Sequence, residues 1–214
     1  YIAYPELEPP FVSLVASGGH SHILHIKDYR SFEVLGATTD DAAGEAFDKV
    51  ARVLGLGYPG GPKIDRAARE GNRDAIDFKR VWLEPGSYDF SFSGLKTSVI
   101  NTIHNSEQKG IEVNKKDLGA SFMKAVSNCL CKNTEKAMID TGNTVLAVAG
   151  GVSANSGLRE ALLDLGRRHR WKVHIPPFAY TTDNAAMVAQ AGYYRYLKGD
   201  FCPLDAAPYA KTKI

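Results

Sequence analysis

Three glycine pairs mark the places where this chain could do chemistry: Gly18-Gly19, Gly60-Gly61 and Gly150-Gly151. Adjacent glycines let the backbone take positive φ and approach a ligand, and successive N–H groups in such a turn form a concavity suited to an anion such as a phosphate. Each pair read alone is equally an ordinary tight turn. Two of the three follow directly after apolar, β-branched runs, 11–16 and 144–149, and that recurrence favours a phosphate or nucleotide site over turn chemistry alone. Ser153, just past the third pair, reads as the cap of the next helix. Asp183, in Thr181-Thr182-Asp183-Asn184, reads either as a helix cap or as a carboxylate ligand to a metal lying over the phosphate turns. The histidines bear on the second reading: His20, His22, His25, His104, His169 and His174 include no pair spaced four apart, so a self-contained helical metal site is not expected.

The elements that must position these residues follow from periodicity. Residues 11–27 predict two strands of a hairpin joined through Ser17-Gly18-Gly19-His20-Ser21, and 31–38 a third short strand. A helix over 41–54 has Asp40 as its cap and Phe47, Val50, Ala51 and Leu54 on its apolar face; Asp48 lies on the other side and reads as part of a solvated face. Pro62 suits the first position of a following helix carrying Ile64, Ala67 and Ala68. The chain is irregular through 73–87, and Tyr88, Phe90 and Phe92 alternate with polar residues as in a strand or an extended loop that buries aromatics. A helix begins over 96–104, a polar connection covers 105–114, and a long helix covers 117–140. The last third alternates strand 144–149, helix from Ser153 with Leu158, Leu162 and Leu165, strand 171–175 and helix 183–197. Three antiparallel-capable strands followed by βα units is the order of a ribonuclease H-like, actin-like ATPase half-module. The fold class is therefore α/β, a mixed sheet with helices, divided as 1–61, a mainly helical insertion over 62–140, and a closing βαβα unit over 141–214.

At 214 residues, 44% hydrophobic and 23% charged, the chain can bury a real core, and it has no apolar run long enough to span a membrane. A net charge of +2 does not by itself argue for nucleic acid. Three cysteines, Cys129, Cys131 and Cys202, make no disulfide framework and suit a reducing, cytoplasmic compartment. The first residue is Tyr1 rather than Met, as in a piece of something longer.

The runs VASGGHSH, DDAAGEAFDKVARVLGLGYPGGP, DFSFSGLKT, AGGVSANSGLR and TTDNAAMVAQAG resemble, in order, the motifs of the tRNA N6-adenosine threonylcarbamoyltransferase family, once taken for O-sialoglycoprotein endopeptidases. No HExxH and no coherent Ser/His/Asp arrangement supports the older protease label. The resemblance implies a two-lobed actin-like fold of which this chain matches the C-terminal portion, beginning after the family's two metal-ligating histidines. By the same resemblance, Val15, Ala16, Ser17, Gly18 and Gly19 form the loop that holds the phosphate of threonylcarbamoyl-adenylate. Asp48 is a ligand of the nucleotide sugar, against its reading as a solvated face; Gly61, Asp65 and Asn155 line the nucleotide site, joined by the Gly150-Gly151 turn. Asp183 completes a divalent iron or zinc site with the histidines that are not here. The implied reaction is acyl transfer to the exocyclic amine of adenosine 37 in ANN-decoding tRNA, with AMP leaving and no Ser or Cys nucleophile. Implied partners are tRNA, ATP or AMP, the subunits of the threonylcarbamoyladenosine-synthesis complex including a paralogous actin-like protein and a small ATPase, and a second copy of the chain across the face a missing lobe would cover. The alternative is a non-catalytic adenine-nucleotide-binding or assembly module on the same fold.

Overall fold

The structure, a computed structural model, describes residues 1–78 and 86–207. Three strands, β1 (Phe11–Ala16), β2 (Ser21–Ile26) and β3 (Phe32–Ala37), form an antiparallel meander; β4 (Val145–Ala149) and β5 (Lys172–His174) join β1 in parallel, giving the sheet order β3-β2-β1-β4-β5. Six α-helices accompany the sheet among the described residues: α1 (Ala43–Val53), α2 (Gly60–Ala68), α3 (Ser93–Gln108), α4 (Lys115–Thr141), α5 (Ser156–His169) and α6 (Ala185–Tyr196).

Alternation along the central strands decides which sheet face carries the helices. Val12, Leu14 and Ala16 of β1 and Leu146 and Val148 of β4 are buried with Phe47 and Val50 of α1, Leu118, Phe122 and Leu130 of α4, and Leu158, Leu162 and Leu165 of α5 in one continuous core. The opposite face, with Phe11 and Ser13 of β1 and Ala147 and Ala149 of β4, lines a cleft of about 530 Å³ closed by Tyr1, Tyr29 and Tyr194. Over that cleft α6 buries no side chain completely and exposes Val188, Tyr193 and Tyr196. No helix among the described residues is long and apolar enough to cross a membrane.

Several local expectations are corrected. Asp40 does not cap α1, whose cap position is Ala42 without a side-chain bond. Its carboxylate instead accepts from Ser91 Oγ (2.5 Å), Phe92 N (2.8 Å), Ser93 N (3.2 Å) and Ser93 Oγ (2.6 Å), at the start of α3. This bracket starts α3 at Ser93 rather than at residue 96, and the polar Asn105, Ser106 and Glu107 continue the helix on a solvated side. Of the two readings of Tyr88–Phe92, a strand or an extended loop that buries aromatics, the structure bears out the loop. It makes one parallel bridge, Thr38 to Phe90, and buries Phe90 and Phe92 completely with rings stacked 5.9 Å apart. Pro62 is the third residue of α2, not the first, and α4 begins two residues early because the Asn114 side chain accepts from Lys116 N and Asp117 N. Of the irregular 73–87 stretch, residues 79–85 lie outside the described residues.

The Asp40 bracket has a pH signature. Burial acts to raise the Asp40 pKa, and the bonds from Ser91, Ser93 and the Phe92 and Ser93 amides outweigh it, so the carboxyl titrates below its ordinary range. A depressed folded pKa contributes stability that is present above the unfolded value of about 3.9 and is lost as pH falls through the folded one. Asp40→Ala should therefore cost about 1–2 kcal/mol at neutral pH, the usual range for losing a helix-start acceptor. Urea unfolding of both proteins should show that gap shrinking at pH below about 3.9. A gap that is constant with pH would remove the carboxylate from the account.

Candidate functional site

Parallel pairing of Val15 with Ala149 sets the C-terminal ends of β1 and β4 side by side, so the loops that follow them share one edge of the sheet. After β1, Ser17 N donates to the His20 carbonyl (2.7 Å), while Ser17 Oγ accepts from Gly19 N (3.3 Å) and His20 N (3.0 Å). Neither Gly18 nor Gly19 takes positive φ, contrary to the expectation for this hinge. What they provide is open space, since a Cβ on either would meet nothing within 4 Å.

After β4, Gly150 has φ 90° and ψ 161°, and a Cβ there would stand 2.3 Å from the Ala16 carbonyl oxygen. Gly150 is thus packing, and Gly151 beside it is open. Residues Gly151–Ala154 form one 3₁₀ turn, and the cap of α5 is Asn155, not Ser153: Asn155 Oδ1 accepts from Leu158 N at 2.9 Å. This leaves two buried polar groups without a partner among the described residues, Asn155 Nδ2 and Ser153 Oγ. Native interiors rarely leave such groups unpaired, and a ligand oxygen or a water here would recover about 1–3 kcal/mol for each.

The second pair follows the same division of labour. Gly60 N donates to Asp48 Oδ1 at 2.6 Å, and a Cβ on Gly60 would lie 2.5 Å from the Asp48 Cα, so α2 starts hard against α1. Gly61 is open. Helix α1 joins this place to the first loop: Gly44 N donates to the Ser17 carbonyl (3.0 Å), and Gly44 and Asp48 lie one turn apart on the same face. Of the six paired glycines, Gly19 and Gly60 donate their amides, and those of Gly18, Gly61, Gly150 and Gly151 have no hydrogen bond among the described residues.

Asp65 has a structural task. Its Oδ1 accepts from Ser156 N (2.8 Å) and Ser156 Oγ (2.6 Å), and its Oδ2 from Arg69 (3.0 Å), which latches α2 to the start of α5 and fixes the segment that holds Asn155. Asp183 is exposed and does not cap α6, a task taken by Asn184, whose side chain accepts from Met187 N at 3.1 Å. No described contact ties Asp183 to the glycine loops. Among the described residues no three His, Cys, Asp or Glu side chains stand close enough to hold a metal, so the residues present do not assemble the iron or zinc site that the family resemblance implies. Sequence reading missed Gly44 and Ser156; a glycine in the first turn of an otherwise good helix was the available sign of the first.

A mixed sheet ordered β3-β2-β1-β4-β5 with accompanying helices is the α/β architecture of an actin-like, ribonuclease H-like module. Residues 1–190 match the family described as TsaD, tRNA N6-adenosine threonylcarbamoyltransferase, and the chain belongs to that family. A relative from Clostridium botulinum (strain Kyoto / Type A2) is 53% identical over 214 residues, covering 100% of this chain and 63% of the relative. One from Clostridioides difficile (strain 630) is 48% identical over 99% of this chain and 63% of its own length. One from Moorella thermoacetica is 52% identical over 96% and 60%. All three are called tRNA N6-adenosine threonylcarbamoyltransferase, and this chain spans under two thirds of each. Among solved structures, HypF from T. kodakarensis superposes with a TM-score of 0.65 at 14% identity, over 88% of this chain and 34% of HypF. Full-length HypF in its phosphate- and nucleotide-bound form gives 0.67 at 14% identity over 90% and 34%. At that identity the likeness is one of fold.

Proposed function

We propose that this chain supplies the nucleotide-binding half of a tRNA N6-adenosine threonylcarbamoyltransferase, holding the adenylate while the threonylcarbamoyl group passes to N6 of a tRNA adenosine. The observation that carries this reading is the set of unspent donors around one edge of the sheet: the Gly18, Gly61 and Gly151 amides, Ser153 Oγ and Asn155 Nδ2. Donors without acceptors suit a ligand rich in acceptor oxygens, and a nucleoside monophosphate ester is such a ligand. In the reaction the adenosine N6 attacks the threonylcarbamoyl carbonyl carbon, a C–N bond forms, the C–O bond to phosphate breaks, AMP departs with the bonding pair, and the proton that N6 gives up passes to solvent. The open amides hold the phosphate and favour the charge that gathers on it. Asp48, with Oδ1 on the Gly60 amide, keeps its other oxygen for a ribose hydroxyl. HypF, which shares this fold over 34% of its length, is known in a phosphate- and nucleotide-bound form, and that is in keeping with the reading.

Calorimetry with AMP and ATP tests it. The parent chain should bind, and Asn155→Ala should weaken binding roughly tenfold, the value of one good hydrogen bond to a charged group. Equal binding by both proteins would move the nucleotide elsewhere.

A further inference from the structure

A charged cluster precedes α1 at the edge of the sheet that carries the glycine loops. β3 runs parallel to β1, since both are antiparallel to β2, so the Thr38-to-Asp41 turn after β3 comes to the same edge as the loops after β1 and β4. The Asp40 bracket brings the first turn of α3, with Lys96, to that edge as well. Asp41 is only 15% exposed. Its Oδ1 holds Lys49 Nζ at 2.6 Å, and Glu45 holds the same ammonium at 2.8 Å, so Lys49 is matched. Asp41 Oδ2 is buried and has no hydrogen bond among the described residues. Lys96 Nζ stands 3.9 Å from it, within ion-pair range and beyond hydrogen-bond reach, and makes no hydrogen bond of its own among the described residues.

An acceptor and a donor at that separation can share one oxygen placed about 2.8 Å from each. The shared group must both donate and accept, which a hydroxyl does and a carboxylate, a phosphate or a methyl does not. Its place in the order of the site says which hydroxyl. Along the chain Asp41 comes first, then Gly44 on the Ser17 carbonyl, then Asp48 on the Gly60 amide, three and four residues apart. An acyl-adenylate has the same order, acyl group, phosphate and ribose, so Asp41 falls on the acyl side of the phosphate loop and Asp48 on the sugar side. We propose that Asp41 and Lys96 are specificity-determining residues for the acyl group, reading the side-chain hydroxyl of threonine: Asp41 Oδ2 accepts from it and Lys96 Nζ donates to it. An acyl group without that hydroxyl would leave the buried Asp41 oxygen unpaired and is disfavoured for that reason. This assignment rests on the adenylate reading of the neighbouring loops.

The probes are two non-hydrolysable acyl-adenylate analogues, one carrying threonine and one carrying valine, in which a methyl replaces the hydroxyl; AMP is the control. Calorimetry on the 214-residue chain should give about tenfold tighter binding of the threonyl compound, the value of one good hydrogen bond to a charged group. Lys96→Met and Asp41→Ala should each bring the two affinities together, while AMP binding stays with the parent. Asp41→Ala also releases Lys49, so a lowered melting temperature is expected there; Lys96→Met gives up no hydrogen bond and should melt with the parent. Equal affinity of the parent for the two analogues, or a threonyl preference kept in Lys96→Met, would overturn the assignment, and AMP binding in the same proteins would then leave the nucleotide site standing without it. A parent chain that binds neither AMP nor the analogues would overturn both.

Discussion

Gly150→Ala is expected to lower the melting temperature by about 10 °C, while Gly151→Ala one residue on leaves it unchanged. Gly150 sits at φ 90° and ψ 161°, a region that side chains enter at a cost of about 1–3 kcal/mol. Its new Cβ would also stand 2.3 Å from the Ala16 carbonyl oxygen and 2.7 Å from the Ala16 carbonyl carbon. Those atoms are backbone and belong to β1, so relief requires parting β1 from β4 where Val15 pairs with Ala149, at a further 1–3 kcal/mol or about that. A total near 4 kcal/mol converts to roughly 10 °C for a chain of this size. At Gly151 a Cβ meets nothing within 4 Å and φ is not positive, so alanine should change stability by less than about 0.5 kcal/mol. Gly151→Val should keep the melting temperature and lose AMP affinity. Parental melting of Gly150→Ala would refute the packing argument; parental AMP binding by Gly151→Val would take that glycine out of the site.

The second large effect is catalytic. The 214-residue chain alone is expected to retain neither iron nor zinc through gel filtration and to give no detectable threonylcarbamoyl transfer. A catalytic divalent metal is ordinarily held by about three protein ligands around an open position. Asp183 is exposed and has no described His, Cys or carboxylate companion with which to make such a set. The measurement is a tRNA-modification assay with threonylcarbamoyl-adenylate, run with and without added metal on this chain and on a full-length relative. Metal-dependent product from this chain alone would defeat the ligand-count argument. A full-length relative that tolerates alanine at the position matching Asp183 would defeat the role given to that residue.

Strand and helix identity was legible in the sequence, and helix starts were not. The apolar, β-branched run at 11–16 and the run at 144–149 placed the central strands, while the 3₁₀ turn after the second stands where a helix was expected from Ser153. Capping rules look one to three residues away, whereas here carboxylates act across space: Asp40 serves the start of α3 some fifty residues on, and Asp65 serves Ser156 ninety-one residues on. Ser153 and Asp183 were natural cap candidates by spacing, yet the caps are Asn155 and Asn184, each the last residue before its helix. The glycine pairs were visible, but that Gly60 and Gly150 are packed while their partners and both members of the first pair stay open depends on Asp48 and Ala16, residues that only the fold brings near. Glycine at Gly60 or Gly150 is thus required by backbone packing whether or not a ligand ever binds.

Helix α1 touches the first loop at Gly44 and the start of α2 at Asp48, one turn apart. A helix is stiff over a single turn, so these two attachments cannot be displaced independently. Any displacement of the Ser17-Gly18 loop must therefore carry Asp48 and the Gly60 start of α2 with it. Loop and helix start turn on one pin, and a shift at either is felt at the other.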